Sequence, residues 1–173
     1  MSKAVVELVR TRFPDAVLES HDFRGDDTIV VPRDRLLEVI RFLKETPGAA
    51  MDFFVDLTCV DWPDRDPRFD VVVHLKSHVK GHRIRVKTGV PVNPCVCPSL
   101  TSVYPAANWF EREAYDMYGV RFDGHPDLRR ILLYEEFEGH PLRKDYPKDK
   151  RQPLVPARDD APPQPPPFRE RPH

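Results

Sequence analysis

Four ionisable side chains fall within six consecutive positions of this chain, among aromatic and apolar neighbours: Glu111, Arg112, Glu113 and Asp116. A desolvated charge without a partner is costly, so charges held beside apolar surface need counter-charges, hydrogen-bond donors or a ligand. Two kinds of chemistry follow from this spacing. The acids can take part in a reaction, or they can bind basic groups and hold separate segments of the protein together.

Two histidines stand in repeated turns downstream of this cluster. Gly124-His125-Pro126 returns as Gly139-His140-Pro141, and each turn is followed by a basic pair, Arg129-Arg130 in one case and Arg143-Lys144 in the other. Two fixed histidines near acids suggest a metal site, but neither turn has a His-x-Glu or an i,i+4 histidine spacing. The sequence therefore favours a structural role over a metal site.

The charged cluster is predicted to lie on a short third helix. Asn108 is a good N-cap, Glu111 would then stand at the N3 position of a capping box, and Gly119 would end the helix. At helical spacing, Arg112, Glu113 and Asp116 share one face, opposite the apolar face, with Glu111 at the border. Asp116 lies near the helix C-terminus, where an acid is disfavoured. We therefore expect a cation beside Asp116, partly from Arg112 and mainly from Arg129 or Arg130.

The rest of the chain predicts an α+β domain, a mixed sheet covered by helices, with an extended Pro-rich C-terminal tail. Apolar residues at helical spacing predict helices over 3–13 and 33–44, and Gly81 marks the turn of a hairpin. The apolar run 51–60 reads as a central strand. The remaining strands are predicted at 16–19, 28–31, 70–76 and 83–87, the last with one dry and one wet face.

Two further segments have unusual composition. Residues 88–110 carry no charge over a length that could span a bilayer, but four prolines exclude a straight transmembrane helix. This segment is predicted to be a long irregular connection packed under protein. Nine of the chain's 20 prolines follow residue 146. We therefore predict a subunit domain over 1–145 and an extended tail over 146–173.

The bulk composition narrows the function classes. A net charge of -1 argues against nucleic acid as a partner, and the first residues do not predict a signal peptide. The chain has no phosphate-binding glycine loop and no Cys-x-x-Cys set for an iron–sulfur cluster. The three cysteines, Cys59, Cys95 and Cys97, are expected to be reduced thiols, and Cys95-x-Cys97 is only half of a metal site.

The run 108–132 closely resembles the 30-kDa subunit family of respiratory complex I, which is the C subunit of the bacterial NADH:quinone oxidoreductase. The continuation 137–147 also resembles that family, so the signature region is 108–147. The positions that match the family pattern are Glu111, Arg112, Glu113, Asp116, Met117, Tyr118, His125 and Arg129.

This resemblance implies a cofactor-free scaffold subunit in the peripheral arm of a proton-translocating complex, on the cytoplasmic side of the bacterial inner membrane. FMN and the Fe–S clusters would be held by partner subunits, quinone would be the substrate of the complex, and this chain would have no catalytic residue. The expected partners are the 49-kDa-type large subunit and the Fe–S subunits. The tail departs from a common family form in which Gly-Tyr precedes a Val-Glu-x-Arg-Tyr strand, which leaves its docking path open.

On this scaffold interpretation, ion pairs hold the third helix, the connection 88–107 and the two Gly-His-Pro turns together. Three alternatives remain: the equivalent subunit of a membrane-bound hydrogenase or F420-type dehydrogenase, a stand-alone metal hydrolase using His125 and His140, and an adaptor that binds through its polyproline tail. The groups expected in the ion pairs are Glu111, Glu113, Asp116, Arg112, Arg129 and Arg130, and the remaining interface candidates are His140, Arg143 and Lys144.

Overall fold

The computed structural model describes residues 3–153, and the polyproline segment on which the adaptor hypothesis rests lies outside them. Among the described residues the last strand ends at residue 123, so residues 124–153, here called the strap, contain no helix or strand. A 3-10 turn, Arg33–Arg35, precedes the second helix. The elements in chain order are α1 (Lys3–Arg12), β1 (Glu19–Phe23), β2 (Asp26–Val30), α2 (Leu36–Glu45), β3 (Phe53–Asp61), β4 (Phe69–Lys76), β5 (Arg83–Val90), β6 (Val96–Pro98), α3 (Ala107–Tyr118) and β7 (Arg121–Asp123).

The main sheet is mixed, as the sequence predicts. Its strand order is β1-β2-β5-β4-β3, with β2 and β5 parallel and every other pair antiparallel. The predicted β4–β5 hairpin is confirmed. The prediction that 51–60 forms a central strand is wrong, because β3 lies at the edge and β5 occupies the middle. The apolar side chains of β3 are explained by α3, which packs against that strand.

The first predicted strand is displaced along the chain. It was expected over 16–19, whereas β1 is Glu19–Phe23 and pairs with β2 in the register that places Glu19 opposite Val30. Ala16 instead belongs to the turn after α1, where its backbone N–H donates to the carbonyl of Phe13 at 3.1 Å. The reason for the error is that β1 is an exposed edge strand with little apolar content, so hydrophobicity did not mark it.

Side-chain alternation in β5 divides the sheet into a covered and an open face. Ile84, Val86 and Val90 are buried in a single core cluster that includes apolar residues of all three helices. Arg83, Arg85 and Lys87 point to the opposite face and remain exposed or half-buried. The predicted dry and wet faces of this strand are therefore confirmed, and the helices cover only the dry one.

The long connection after β5 packs within the domain. The connection leads into α3, and its strand β6 pairs in parallel with β7, the strand that follows α3. The segments before and after the helix are therefore hydrogen-bonded to each other. Leu100, Val103 and Tyr104 are buried in the core cluster. The prediction that this segment packs under protein is thus confirmed, but only part of 88–110 is irregular, because it includes the end of β5, all of β6 and the start of α3. Over the described part of the chain, no helix has the length and apolar content needed to cross a membrane.

Candidate functional site

The helix α3 carries the charged cluster, but it begins differently from the prediction. It begins at Ala107, its N-cap is Ala106, and no side chain caps it, so the expected Asn108 cap and the capping-box role of Glu111 are wrong. Gly119 ends the helix in the left-handed region with φ of 75°, as predicted. The first two N–H groups of the helix, those of Ala107 and Asn108, instead donate to the backbone carbonyls of Tyr104 and Pro105, and the Glu111 carboxylate binds a different segment.

Glu111 is fully buried and fastens the connection between β5 and α3 to the helix. Its Oε2 accepts a hydrogen bond from the Ser99 hydroxyl at 2.7 Å, and its Oε1 accepts one from the Leu100 N–H at 2.6 Å. Burial raises the pKa of Glu111 to about 7, against the lowering effect of these two donors. No cation pairs with it among residues 3–153, so the expected ion pair of Glu111 is wrong.

Asp116 is also fully buried, and it binds the start of the strap. One oxygen accepts from the Arg130 guanidinium at 2.6 Å. The other accepts from three successive backbone N–H groups, those of Ile131, Leu132 and Leu133, at 2.8 to 3.0 Å. Burial raises the pKa of Asp116, but these donors outweigh it and hold the pKa below its usual value. The predicted cation beside Asp116 is therefore Arg130.

The other predicted ion pairs do not form. Arg112 was expected to neutralise Asp116, but its guanidinium donates to the carbonyls of Arg129 and Arg130 at 3.1 and 3.0 Å. Arg129 pairs with Asp127 at the surface, and Glu113 is exposed without an ion pair in the described chain. The prediction of one charged helix face also fails. Both ends of the cluster, Glu111 and Asp116, are enclosed by segments that sequence spacing could not place.

The second Gly-His-Pro block caps the C-terminus of α3. The last carbonyls of a helix have no partner within it and need donors from elsewhere. Here the last four carbonyls of α3 all have donors: the Gly119 N–H binds the Tyr115 carbonyl, His140 Nδ1 binds that of Asp116, the Leu142 N–H binds that of Met117, and Arg143 Nε binds that of Tyr118. Burial of the His140 ring in this cap lowers its pKa.

The two predicted histidines lie at opposite ends of α3. His125 Nδ1 accepts from the Asp127 N–H, and its Nε2 lies 3.3 Å from the Asn108 carbonyl, whereas His140 lies beside the Asp116 carbonyl. Eight residues of helix separate these two carbonyls by about 12 Å. The histidines therefore cannot share a metal ion. Within residues 3–153, no group of three or more His, Cys, Asp or Glu side chains is arranged to hold one.

Asp61, at the end of β3, is a site residue that the sequence reasoning missed. Its buried carboxylate accepts two hydrogen bonds from Arg68 at 2.6 and 2.8 Å and one from the Lys144 N–H at 2.7 Å. Arg68 also pairs with Asp145, and its hydrogen bonds lower the pKa of Asp61. Lys144, predicted as an interface residue, thus binds Asp61 through its backbone N–H and not through its side chain. The signal that could have found Asp61 was an acid at the end of the apolar run that forms β3.

Gly119 allows a direct test of this packing. A Cβ there would lie 2.5 Å from His140 Nε2 and 2.7 Å from an Arg143 nitrogen, whereas a Cβ at Gly81, with a similar φ of 69°, meets nothing within 4 Å. We expect Gly119→Ala to lower the free energy of unfolding by about 2–4 kcal/mol, through backbone strain plus the clash. Gly81→Ala should cost about 1–2 kcal/mol from strain alone. Urea denaturation of both variants measures the difference. Equal losses of unfolding free energy would contradict the close packing of His140 and Arg143 against the end of α3.

Comparison with known proteins gives a consistent family assignment. The model of the family described as respiratory-chain NADH dehydrogenase, 30 Kd subunit, matches residues 29–152. The C subunit of the NADH-quinone oxidoreductase of Rhodobacter capsulatus is 48% identical over 134 residues, covering 78% of this chain and 67% of that protein. The protein of the same name from Geobacter metallireducens is 46% identical over 147 residues, covering 84% of this chain and 89% of that protein.

Solved structures share the fold. A trypsin-resistant fragment of Nqo5 superposes with a TM-score of 0.62 at 31% identity, covering 72% of this chain and 96% of the fragment. A chain of the membrane-bound sulfane sulfur reductase, an archaeal respiratory membrane complex, gives a TM-score of 0.71 at 28% identity over 83% of this chain and 84% of that chain. The region matched by the family model contains α3, the signature charges and nearly all of the strap, so this chain belongs to the 30-kDa subunit family of the respiratory-chain NADH dehydrogenase.

Proposed function

We propose that this chain is a cofactor-free scaffold subunit in the peripheral arm of a proton-translocating NADH:quinone oxidoreductase. FMN and Fe–S clusters in partner subunits would carry electrons from NADH to quinone, on the cytoplasmic side of the bacterial inner membrane. The observation that supports this most is the state of Asp116. Its carboxylate is fully buried, and both oxygens are occupied by donors of the same chain. A carboxylate enclosed in this way holds segments together and is not accessible to a substrate.

The other signature groups have similar local tasks. Glu111 is bound by Ser99 and Leu100 of the connection between β5 and α3. His140 and Arg143 cap α3, and Arg112 donates to two carbonyls of the strap. A general acid or base must reach the proton that it transfers. Because these groups face atoms of their own chain, we assign Glu111 to holding the connection between β5 and α3 on the helix, and the other groups to holding the strap on it.

The strap and α3 also carry exposed apolar side chains, which suit a contact with another subunit. Trp109 is largely exposed, with the Arg112 guanidinium 5.4 Å from its ring centre, and Leu132 is one of the residues whose N–H groups Asp116 binds. Exposed aromatic and aliphatic anchors beside arginine are typical of the centres of protein interfaces. We assign this surface to the 49-kDa-type large subunit. Its members are Trp109, Leu132, Tyr134 and Leu142.

The test is a charge placed on this surface. Leu132 is 62% exposed and Leu18, far away in sequence before β1, is 66% exposed, so Leu132→Glu and Leu18→Glu form a matched pair. We expect the Leu132 variant to reduce the assembled complex recovered with a tagged chain about tenfold, with unchanged melting of the isolated chain. The Leu18 variant should assemble normally. Turnover per assembled complex should not change; normal assembly with altered turnover would contradict the scaffold role.

The similarity to the sulfane sulfur reductase chain supports a second candidate, the equivalent subunit of a related membrane-bound complex such as a hydrogenase or F420-type dehydrogenase. The higher identity to the C subunits of NADH-quinone oxidoreductases favours the first candidate. Purification of the complex through this chain distinguishes them. NADH oxidation that quinone-site inhibitors block is expected for the first, and NADH oxidation should be absent for the second.

A further inference from the structure

The open face of the sheet carries like charges directly opposite each other. Lys76 of β4 is paired in register with Arg83 of β5, and two residues along the same face His74 is paired with Arg85. Like charges at facing positions destabilise a sheet. Burial, and after it the Arg85 guanidinium, lowers the pKa of His74 against the raising effect of Asp56 and Asp26. The neutral form of His74 is therefore favoured, and the like-charge pair on this face is Lys76 with Arg83. A local arrangement that opposes stability in this way points to a function.

Nothing in the described chain neutralises these cations. Lys76, Arg83, Arg85 and Lys87, here called the basic sheet face, form no ion pair among residues 3–153. Arg85 instead donates to the hydroxyl of Thr28 at 3.2 Å. The acids on this face are Asp26, Asp56 of β3 and Asp70 of β4, and Asp70 is paired with Arg65. The cavity itself is lined by three basic residues, Lys76, Arg83 and Arg85, and by one acid, Asp26, so the charge around it is positive.

The cavity beside these charges is partly apolar. It has a volume of about 230 Å³, and its walls include Phe53, Val55 and the side chains of His74, Arg83 and Arg85. Phe53 is 45% exposed and Val55 is 42% exposed, although both belong to strand β3. The helices pack on the other side of the sheet, so no described element covers this one. Apolar side chains rimmed by charge are a usual sign of an interaction surface.

We propose that the basic sheet face docks an acidic segment of a partner protein, with one apolar side chain of that segment entering the cavity beside Phe53 and Val55. Charge complementarity selects the acidic partner, because unpaired cations at facing positions gain most from carboxylates placed between them. A polypeptide fits better than nucleic acid, since the chain has a net charge of -1 and the cavity walls include aliphatic and aromatic groups. The proposal rests on the scaffold function only for the presence of partner subunits.

Arg83→Glu separates docking from folding. The substitution turns the Lys76–Arg83 pair into a pair of opposite charges, so the melting temperature of the isolated full chain is expected to stay the same or rise. The same change repels an acidic partner, and we expect the complex recovered with the tagged variant to fall about tenfold. Arg41→Glu, an exposed position on α2, is the control and should assemble normally. Full assembly of the Arg83 variant, or a lower melting temperature, would overturn the proposal.

A photo-cross-linking amino acid in place of Phe53, in the purified intact complex, identifies the occupant. Attachment to a segment of a partner subunit with a net negative charge supports the proposal. Attachment to residues 154–173 of this chain, to a neutral or basic segment or to lipid, or no attachment, overturns it. The two proposals fail separately: if Leu132→Glu impairs assembly and Arg83→Glu does not, the scaffold function stands and the docking of an acidic segment does not.

Discussion

Replacement of Asp116 by alanine is expected to lower the free energy of unfolding of the isolated chain by about 3–5 kcal/mol. The buried carboxylate accepts from Arg130 and from three backbone N–H groups of the strap. Without it, the Arg130 guanidinium, of which 17% is exposed, loses its only acidic partner in the described chain. Three N–H groups also lose their acceptor. Urea denaturation followed by far-UV circular dichroism measures the loss.

Glu113→Ala is the matched control, because Glu113 lies on the same helix but is exposed and forms no ion pair in the described chain. Its cost should stay within about 0.5 kcal/mol. The contribution of Asp116 should also depend on pH. Because its folded-state pKa is lowered, the stabilisation is present above its ordinary value of 3.8 and is lost as the pH falls below it. An Asp116→Ala variant as stable as the Glu113 control would contradict the assigned role.

Glu111→Gln is expected to raise the free energy of unfolding, in contrast to Asp116→Ala, and this stabilisation should grow as the pH rises. The pKa of Glu111 is about 7 in the folded chain, against an ordinary value of 4.5. Between these values the folded state keeps a proton that the unfolded state releases, so stability falls as the pH rises. The glutamine variant lacks this loss. Its stability relative to the unchanged chain should rise by about 2–3 kcal/mol from pH 5 to pH 8.

The amide can keep both hydrogen bonds of Glu111, accepting from the Leu100 N–H and donating to the Ser99 hydroxyl, which isolates the charge as the variable. Denaturation curves at several pH values measure the difference. Glu113→Gln, on the exposed side of α3, is the control, because it removes a carboxylate of the same helix and leaves Glu111 in place. A constant difference between the Glu111 variant and the unchanged chain across pH 5–8 would show that this carboxylate is paired or hydrated in the folded protein.

Local patterns in the sequence were sufficient for most of the secondary structure. Helical spacing located α1 and α2, alternation identified the two faces of β5, and Gly119 marked the end of α3. These features depend on neighbours within a few residues, where side-chain period and glycine conformation decide the outcome. Strand order was not accessible in this way. The apolar run of β3 suggested a central strand, but β3 lies at the edge of the sheet and packs against α3.

The charged site shows the same division. The residue types and spacing predicted that Glu111, Asp116 and Arg130 hold segments of the protein together, and they led to the family to which the chain belongs. Of the predicted ion pairs among the signature charges, the one between Asp116 and Arg130 is confirmed. The partners were mostly predicted wrongly, because the sequence suggests charges as partners for charges. The folded chain instead supplies backbone N–H groups to Asp116 and a hydroxyl to Glu111, from segments that only the tertiary structure brings near. The predicted boundary near residue 145 stays a prediction.

The amino-acid sequence alone determined which side chains need a partner when they are buried, because the cost of burying a charge depends on the side chain itself. Only the tertiary structure decided which of them are buried and what they bind. It brought Asp61, from the edge of the sheet, to the Lys144 backbone, and it left Lys76 facing Arg83 without an acid between them. Such pairings depend on strand register and on the path of the strap, which are set by packing across the whole domain and not by local spacing.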